Sequence, residues 1–351
     1  MDGTNKERNI TIENEKFKRK DVIDRIVRYI FLFLAILCAS FVIFIVIFIC
    51  VRGLEPFIKN YGTDGEVLRQ DLGLFFTNDR WLYDGNGSMT FLLLTTLYTT
   101  LLSLIISIPT SVFTALFIVR MVPRKIKEVV KTCVELLASI PSVIYGLFGM
   151  GVINQIVYAA FPSTFGGNSI LSACFMLAIM SIPTMTMVSI NAIDAVDPRL
   201  INASIALGAS SGQTNIKIVL STAKSGIFAG IILGVGRALG EATAVQMVIG
   251  NNAIGTGFYN PLNPGMTLTS AMLTGIGEAV GFGYDIRFSL GIVLILVILT
   301  ITSILNLIKD KMDTIKTKNS ESKFKKVVKF FGNDIALVRT YFNDVIKKHK
   351  K

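Results

Sequence analysis

From Tyr29 to Val51 no residue carries a charge, and the run is long enough to cross a bilayer as a helix. The hydrocarbon core is about 30 Å thick and takes about 20 apolar residues in α-helical form. Lipid offers no hydrogen-bond partner, so a crossing chain has to satisfy its backbone internally, as a helix or a closed barrel. Further runs of this kind follow at 91–119, 129–161, 169–190, 227–250 and 288–308. The expected fold class is therefore all-α, a polytopic membrane protein with about six spans. Composition agrees: 52% of residues are hydrophobic and 17% charged, against about a quarter charged in a soluble domain. A cleaved signal peptide is not expected at the first run. Both the run and its charged lead-in are too long, and no small-residue cleavage pattern follows.

The net charge of +11 is concentrated at the ends, from Lys6 to Arg28 and from Lys309 to Lys351. Lys and Arg beside spans mark the cytoplasmic side. The 1–28 segment, the 120–131 connection, the 194–224 segment and the tail hold almost all of them, while 52–89 and 251–286 hold few. Six spans with both termini cytoplasmic satisfy every loop. The expected organisation is a cytoplasmic segment 1–28, a transmembrane domain 29–308 and a basic tail 309–351. This distribution points to membrane lipid and away from nucleic acid as a partner. In the tail, Phe324, Val328 and Phe331, then Ile335, Val338 and Phe342, have the spacing of an amphipathic helix on an anionic surface; a solvated tail fits as well. Cys38, Cys50, Cys133 and Cys174 lie in apolar runs without metal-ligand spacing and read as small packing residues. The single histidine, His349, stands three residues from the end, so chemistry needing a buried imidazole is excluded, and no metal site is expected.

Three segments depart from plain bilayer-filling sequence. Between spans four and five, Asp197-Pro198 is a helix start, with a capping side chain followed by a proline at the first helical position. A mostly apolar helix through Leu207 ends at Gly208, and Ser210-x-x-Gln213 is a capping box opening a second short helix through Leu220. This hairpin reads either as a plain connector or as a knob that docks into a partner. Inside span five, Arg237 and Glu241 are four residues apart, which places them on one face of a continuous helix. Each charge at the bilayer centre costs at least about 2.5–3.5 kcal/mol, so the pair is either a mutually satisfied ion pair or part of a solute pathway. Lys131 and Glu135 share the spacing but lie near the cytoplasmic edge, where lysine can snorkel. The third feature is the row Gly226, Gly230, Gly234, Gly236 and Gly240, which suits close helix packing and puts span five at the centre of the assembly. Pro109 is an expected kink in span two, Pro141 interrupts span three, Pro183 lies inside span four, and 251–286 has the composition of a re-entrant loop. No Walker-type phosphate loop, nucleophile–base pair or catalytic residue is evident, so any ATP-driven work needs another subunit.

Segment 197–226, with Ala203, Ala206, Leu207 and Gly208, resembles the EAA loop of bacterial ABC-transporter permeases. The strings IPSVIYGLFG (140–149) and GVGRALGEATAVQMVIGN (234–251) are similar to phosphate-uptake permeases, nearer the PstC-type than the PstA-type subunit. The likeness covers about residues 20–310. It departs from the family pattern at Asn202-Ala203-Ser204, where Glu-Ala-Ala is usual, and at Gly212 and Ser221. The resemblance implies an ABC type I importer permease fold. Asn202, Ala203, Ser204, Ala206, Leu207 and Gly208 would belong to the loop that couples to an ATPase, and Arg237 and Glu241 to the translocation path. Implied partners are an ATP-binding subunit that holds ATP and Mg, a second permease of the PstA type and an extracellular phosphate-binding protein. This chain itself would hold no cofactor. Permeases for sulfate or molybdate and ion-coupled secondary transporters remain the alternatives.

Overall fold

Prolines, glycines and caps divide the described residues into eleven helices. The computed structural model describes residues 2–62, 68–77, 80–81, 87–254 and 259–312. The helices are α1 (Asp2–Ile58), α2 (Leu72–Thr77), α3 (Thr90–Arg120), α4 (Arg124–Ser139), α5 (Ser142–Ala160), α6 (Ile170–Asp194), α7 (Pro198–Ala206), α8 (Ser211–Gly240), α9 (Thr243–Val248), α10 (Leu268–Leu273) and α11 (Phe282–Met312). Among the described residues six stretches are long and apolar enough to cross a membrane: 24–58 of α1, then α3, α5, α6, α8 and α11. The chain is an all-α, multi-pass membrane protein. The tail residues 313–351, with the Phe324–Phe342 pattern, lie outside the described residues.

The expected spans are present, but several bounds move. Helix α1 continues across residue 28 without a break. The expected third span 129–161 divides at Pro141, which lacks an N–H and clashes with the preceding turn. Ile140 before it is extended (φ −62°, ψ 129°), as a residue preceding proline is driven to be. Amphipathic α4 is thereby separated from the true span α5. Pro109 and Pro183, by contrast, stay inside unbroken helices. Span five starts earlier than expected. The second helix of the hairpin does not stop at Leu220; it runs on as α8, with a π-helical stretch at Asn215–Leu220 taking up the irregular turn. Within the 251–286 loop, α10 folds back into the bundle, and its Leu268 N–H donates to Thr96 Oγ1 at 2.9 Å.

The most enclosed span is α6, with two-thirds of its apolar window buried against one-third for α8. Within this chain α6, and not span five, is therefore the most enclosed helix. Helix α3 meets α6 through Thr95, Thr99, Ser103, Ser107 and Ser111, all buried and spaced by four. Small side chains let backbones approach in lipid, and three of the row donate to carbonyls of their own helix: Thr99 to Thr95 at 2.6 Å, Ser103 to Thr100 at 2.7 Å and Ser111 to Ile108 at 2.9 Å. On the other side of α6, a Cβ added at Gly226 would lie 2.5 Å from Ala192 Cβ, one at Gly230 3.1 Å from Val188 Cβ, and one at Gly234 2.0 Å from Met185 Cε. Gly236 and Gly240 do not share this role: nothing lies within 4 Å of a Cβ there, so they lie on an open side of α8. Helix α1 joins the bundle only near its end, where Gly53 meets the Phe288 carbonyl and Ser289 Oγ donates to Gly53 O at 2.7 Å. Of the four cysteines only Cys174 is buried; Cys38 and Cys133 are exposed.

Gly226→Ala is expected to push α8 off α6, costing about 1–3 kcal/mol, whereas Gly236→Ala is accommodated. Thermal unfolding of the purified protein in detergent reads both. Equal midpoints for Gly226→Ala and wild type would contradict the close-packing account.

Candidate functional site

Helix α8 ends one residue before Glu241, whose backbone is extended (φ −75°, ψ 126°). Arg237 and Glu241 therefore do not share a helix face, and their side chains have separate partners. Arg237 Nη1 donates to Thr184 Oγ1, beside Pro183 on α6. Glu241 Oε1 accepts from the Ala244 N–H and from Thr243 Oγ1, each at 3.0 Å, and so satisfies the first turn of α9. The Glu241 carbonyl accepts from Thr269 Oγ1 of α10 at 2.8 Å. The break in span five thus meets the break in span three, because Ser142 and Thr243 hydroxyls lie 2.8 Å apart. Tyr145 spans the latter break by donating to the Leu137 carbonyl at 2.8 Å. The two quoted strings, 140–149 and 234–251, are brought together here. Arg237 and Glu241 are both half-buried.

At the hairpin end, Asp197 caps α7 by accepting from the Arg199 N–H at 2.8 Å, and the Ser210–Gln213 capping box forms as expected. Gly208 adopts φ +84°, a conformation that favours glycine. Leu207 is 89% exposed at the tip, and Asn202, Ala203, Ala206 and Gly208 are exposed beside it. Ser204, only partly exposed, shares a hydrogen bond with Thr214 at 3.0 Å, and Arg120 Nε donates to Asn215 Oδ1 at 3.0 Å, fixing the hairpin to α8 and α3. A cleft of about 460 Å³ opens behind α7, crossed by the Lys127–Asp194 ion pair at 2.7 Å.

At the opposite end stands a charged cluster that pattern reading missed. Asp285 and Arg287 are 4% and 5% exposed. Asp285 accepts from Tyr61 Oη at 2.7 Å and lies 3.5 Å from Arg52 Nη1. Arg287 donates to the carbonyls of Thr274, at 2.8 Å, and Gly283. The sequence signal is a charged pair two residues apart at the edge of an apolar run, which a span starting at 288 leaves in the loop. Burial and the Asp285 hydrogen bond raise the Tyr61 pKa above its ordinary 10.0. Among the described residues no group of three or more His, Cys, Asp or Glu is placed to hold a metal ion.

The family profile described as "Binding-protein-dependent transport system inner membrane component" matches residues 107–314, more than half of the chain. The "Probable ABC transporter permease protein YqgH" of Bacillus subtilis is 35% identical over 164 residues, 46% of this chain and 52% of that protein. The "Phosphate transport system permease protein PstC" of Pasteurella multocida is 32% identical over 198 residues, 50% of this chain and 60% of that one. A third, of the same name from Xylella fastidiosa (strain 9a5c), is 33% identical over 47% of this chain and 56% of its own length. The matches thus span between about half and three-fifths of these relatives. Among solved structures, a bacterial ABC transporter involved in the import of alginate is similar over 80% of this chain and 96% of its own, with a TM-score of 0.55 and 18% identity. That likeness bears on the fold alone.

Tyr61→Phe is expected to remove ~1 kcal/mol of stability and to change its pH dependence. A raised folded pKa contributes fully below pH 10 and is lost as pH rises above it, because the unfolded tyrosine ionises first. Midpoints measured from pH 8 to 11 should fall more steeply in wild type than in the variant; parallel curves would contradict the assignment.

Proposed function

The chain belongs to the binding-protein-dependent transport system inner membrane component family, and from that premise we propose that it is the permease subunit of an ATP-driven phosphate importer. The observation that carries this reading is the Arg237 seam. One always-ionised guanidinium stands at the break of span five, in a string like those of phosphate permeases, and the relatives named as phosphate transport permeases support the substrate. Family membership disfavours the ion-coupled secondary transporter.

In this reading an extracellular binding protein delivers phosphate at the α2 end. An ATPase subunit docks on the α7 hairpin, where the exposed tip from Asn202 to Gly208 offers Leu207 as an apolar anchor. Both termini lie on the ATPase side, in keeping with the basic residues there. Helix α8 links hairpin to seam without interruption, from Ser211 to Arg237, roughly 40 Å at 1.5 Å per residue. Tilting the hairpin therefore moves Arg237. The guanidinium presents a planar fork that matches two phosphate oxygens, with Thr184 orienting it from behind. The open side of α8, with Gly236 and Gly240, is where a second permease of the PstA type would complete the path. Oxyanion and subunits form a two-state device, which ATP binding biases through the hairpin.

Co-purification from native membranes in mild detergent, followed by phosphate-stimulated ATP hydrolysis, tests this directly. Recovery of an ATPase and a second permease with stimulation by phosphate is expected; stimulation by sulfate or molybdate alone would redirect the substrate. Arg237→Lys keeps the charge but loses the fork, so uptake should fall at least about tenfold with the complex intact; normal uptake would remove the bidentate role. Leu207→Asp should release the ATPase while leaving the permease folded, and an unchanged ATPase yield would argue against that anchor.

A further inference from the structure

Glu241 is hard to place in a path for anions, since a carboxylate repels phosphate. Its surroundings give it other work. A threonine hydroxyl has one proton, and that of Thr243 goes to Glu241 Oε1. The Ser142 hydroxyl 2.8 Å away must then donate to Thr243. The result is a directed chain, Ser142 to Thr243 to Glu241, with the Ala244 N–H converging on the same oxygen. It joins the first residues of two half-helices, α5 beyond the Pro141 break and α9 beyond the Gly240 break.

The rest of the contact between these half-helices is equally close. A Cβ at Gly146 would fall 3.1 Å from Ala244 Cα and 2.5 Å from Met247 Sδ, and one at Gly149 2.6 Å from Val248 Cγ1. Two glycines on α5 therefore let α9 lie against its backbone. Thr269 of α10 holds the Glu241 carbonyl from a third side. Arg237, by contrast, is bonded to α6 and not to this unit.

We infer that Glu241 is a positioning residue: with Thr243 and Ser142 it forms a clasp that binds α9 to α5, so the two half-helices move as one body relative to Arg237. The inference rests on the transport reading for its consequence, and on geometry for the clasp itself. It assigns Glu241 the role of hydrogen-bond acceptor, which an amide can replace, and not that of a charge acting on substrate. Thr243 and Ser142 gain a role in transport without touching phosphate. When the hairpin shifts α8, relative motion is confined to the break at Gly240–Glu241, and the clasp sets how far Arg237 travels.

The test uses the purified complex and membranes carrying it, with Glu241→Ala, Glu241→Gln, Thr243→Val and Thr243→Ser. Hydrogen exchange of segment 243–248, followed by mass spectrometry, should quicken about tenfold in Glu241→Ala, the size of one lost helix cap. Glu241→Gln should stay near wild type. Maximal phosphate uptake should fall about tenfold in Glu241→Ala and Thr243→Val at equal complex yield. Glu241→Gln should keep about a third or more of it, and Thr243→Ser should recover what Thr243→Val loses. If Glu241→Gln transports as poorly as Glu241→Ala while its segment stays protected, the negative charge is what matters and the inference fails. It fails also if Thr243→Val is as fast as wild type, or if exchange in Glu241→Ala is unchanged. Wild-type complex that takes up no phosphate would overturn the proposed substrate instead, and the exchange measurements would still decide the clasp.

Discussion

A helix interrupted within a membrane exposes backbone N–H groups that lipid cannot satisfy, and the architecture around residues 140 and 241 follows from meeting that demand. At Pro141 part of the problem is removed at source, because proline has no N–H to satisfy, and the Leu137 carbonyl accepts from the Ile140 N–H and from Tyr145 Oη. At Gly240 there is no such relief. The chain uses the next side chain, Glu241, to accept from the new helix, and α10 supplies Thr269 for the carbonyl. A polar seam in an apolar bundle is the direct result. Arg237 stands at the edge of that seam, where a charge is far cheaper to hold than against lipid.

Close packing makes the seam stable. With little hydrophobic drive between helices in lipid, contact depends on backbone approach and dispersion. Helix α6 is clasped from two sides by small residues: the Thr and Ser row of α3 and the Gly226–Gly230–Gly234 row of α8. The arrangement is asymmetric. The glycine row stops at Gly234, and Gly236 and Gly240 open onto the other side of the same helix within one turn of Arg237. One glycine-rich string thus does two things, packing where it faces α6 and leaving room where it does not.

Length and apolarity made the spans legible in sequence, and capping chemistry made the hairpin legible down to its Ser210–Gln213 box. What pattern reading lost were the junctions. An i, i+4 rule applied to Arg237 and Glu241 presumes a continuous helix, and nothing local announces that Gly240 ends one, since glycines also stand inside α8 at 226, 230, 234 and 236 without ending it. The clasp partners Ser142 and Thr243 are a hundred residues apart and individually unremarked. The Tyr61–Asp285 bond joins segments still further apart. Hydropathy placed the start of the last span after Arg287 because its averaging cannot separate a solvated charge from a buried one whose partners come from elsewhere in the fold.

That outer cluster and the Arg237 seam solve the same electrostatic problem in different ways. Asp285 is surrounded by Arg52 and the Tyr61 hydroxyl, so its charge is closed off within the fold and pins α1 to α11. Arg237 has one hydroxyl of Thr184 on one side and, across the open face of α8, no packed glycine contact. A guanidinium has five N–H donors, and a single neutral acceptor leaves most of its capacity for another oxygen-bearing partner. Within the proposed importer that difference separates the two sites. There the closed cluster would hold the frame in one arrangement, while the seam would keep a cation for an oxyanion that arrives and departs.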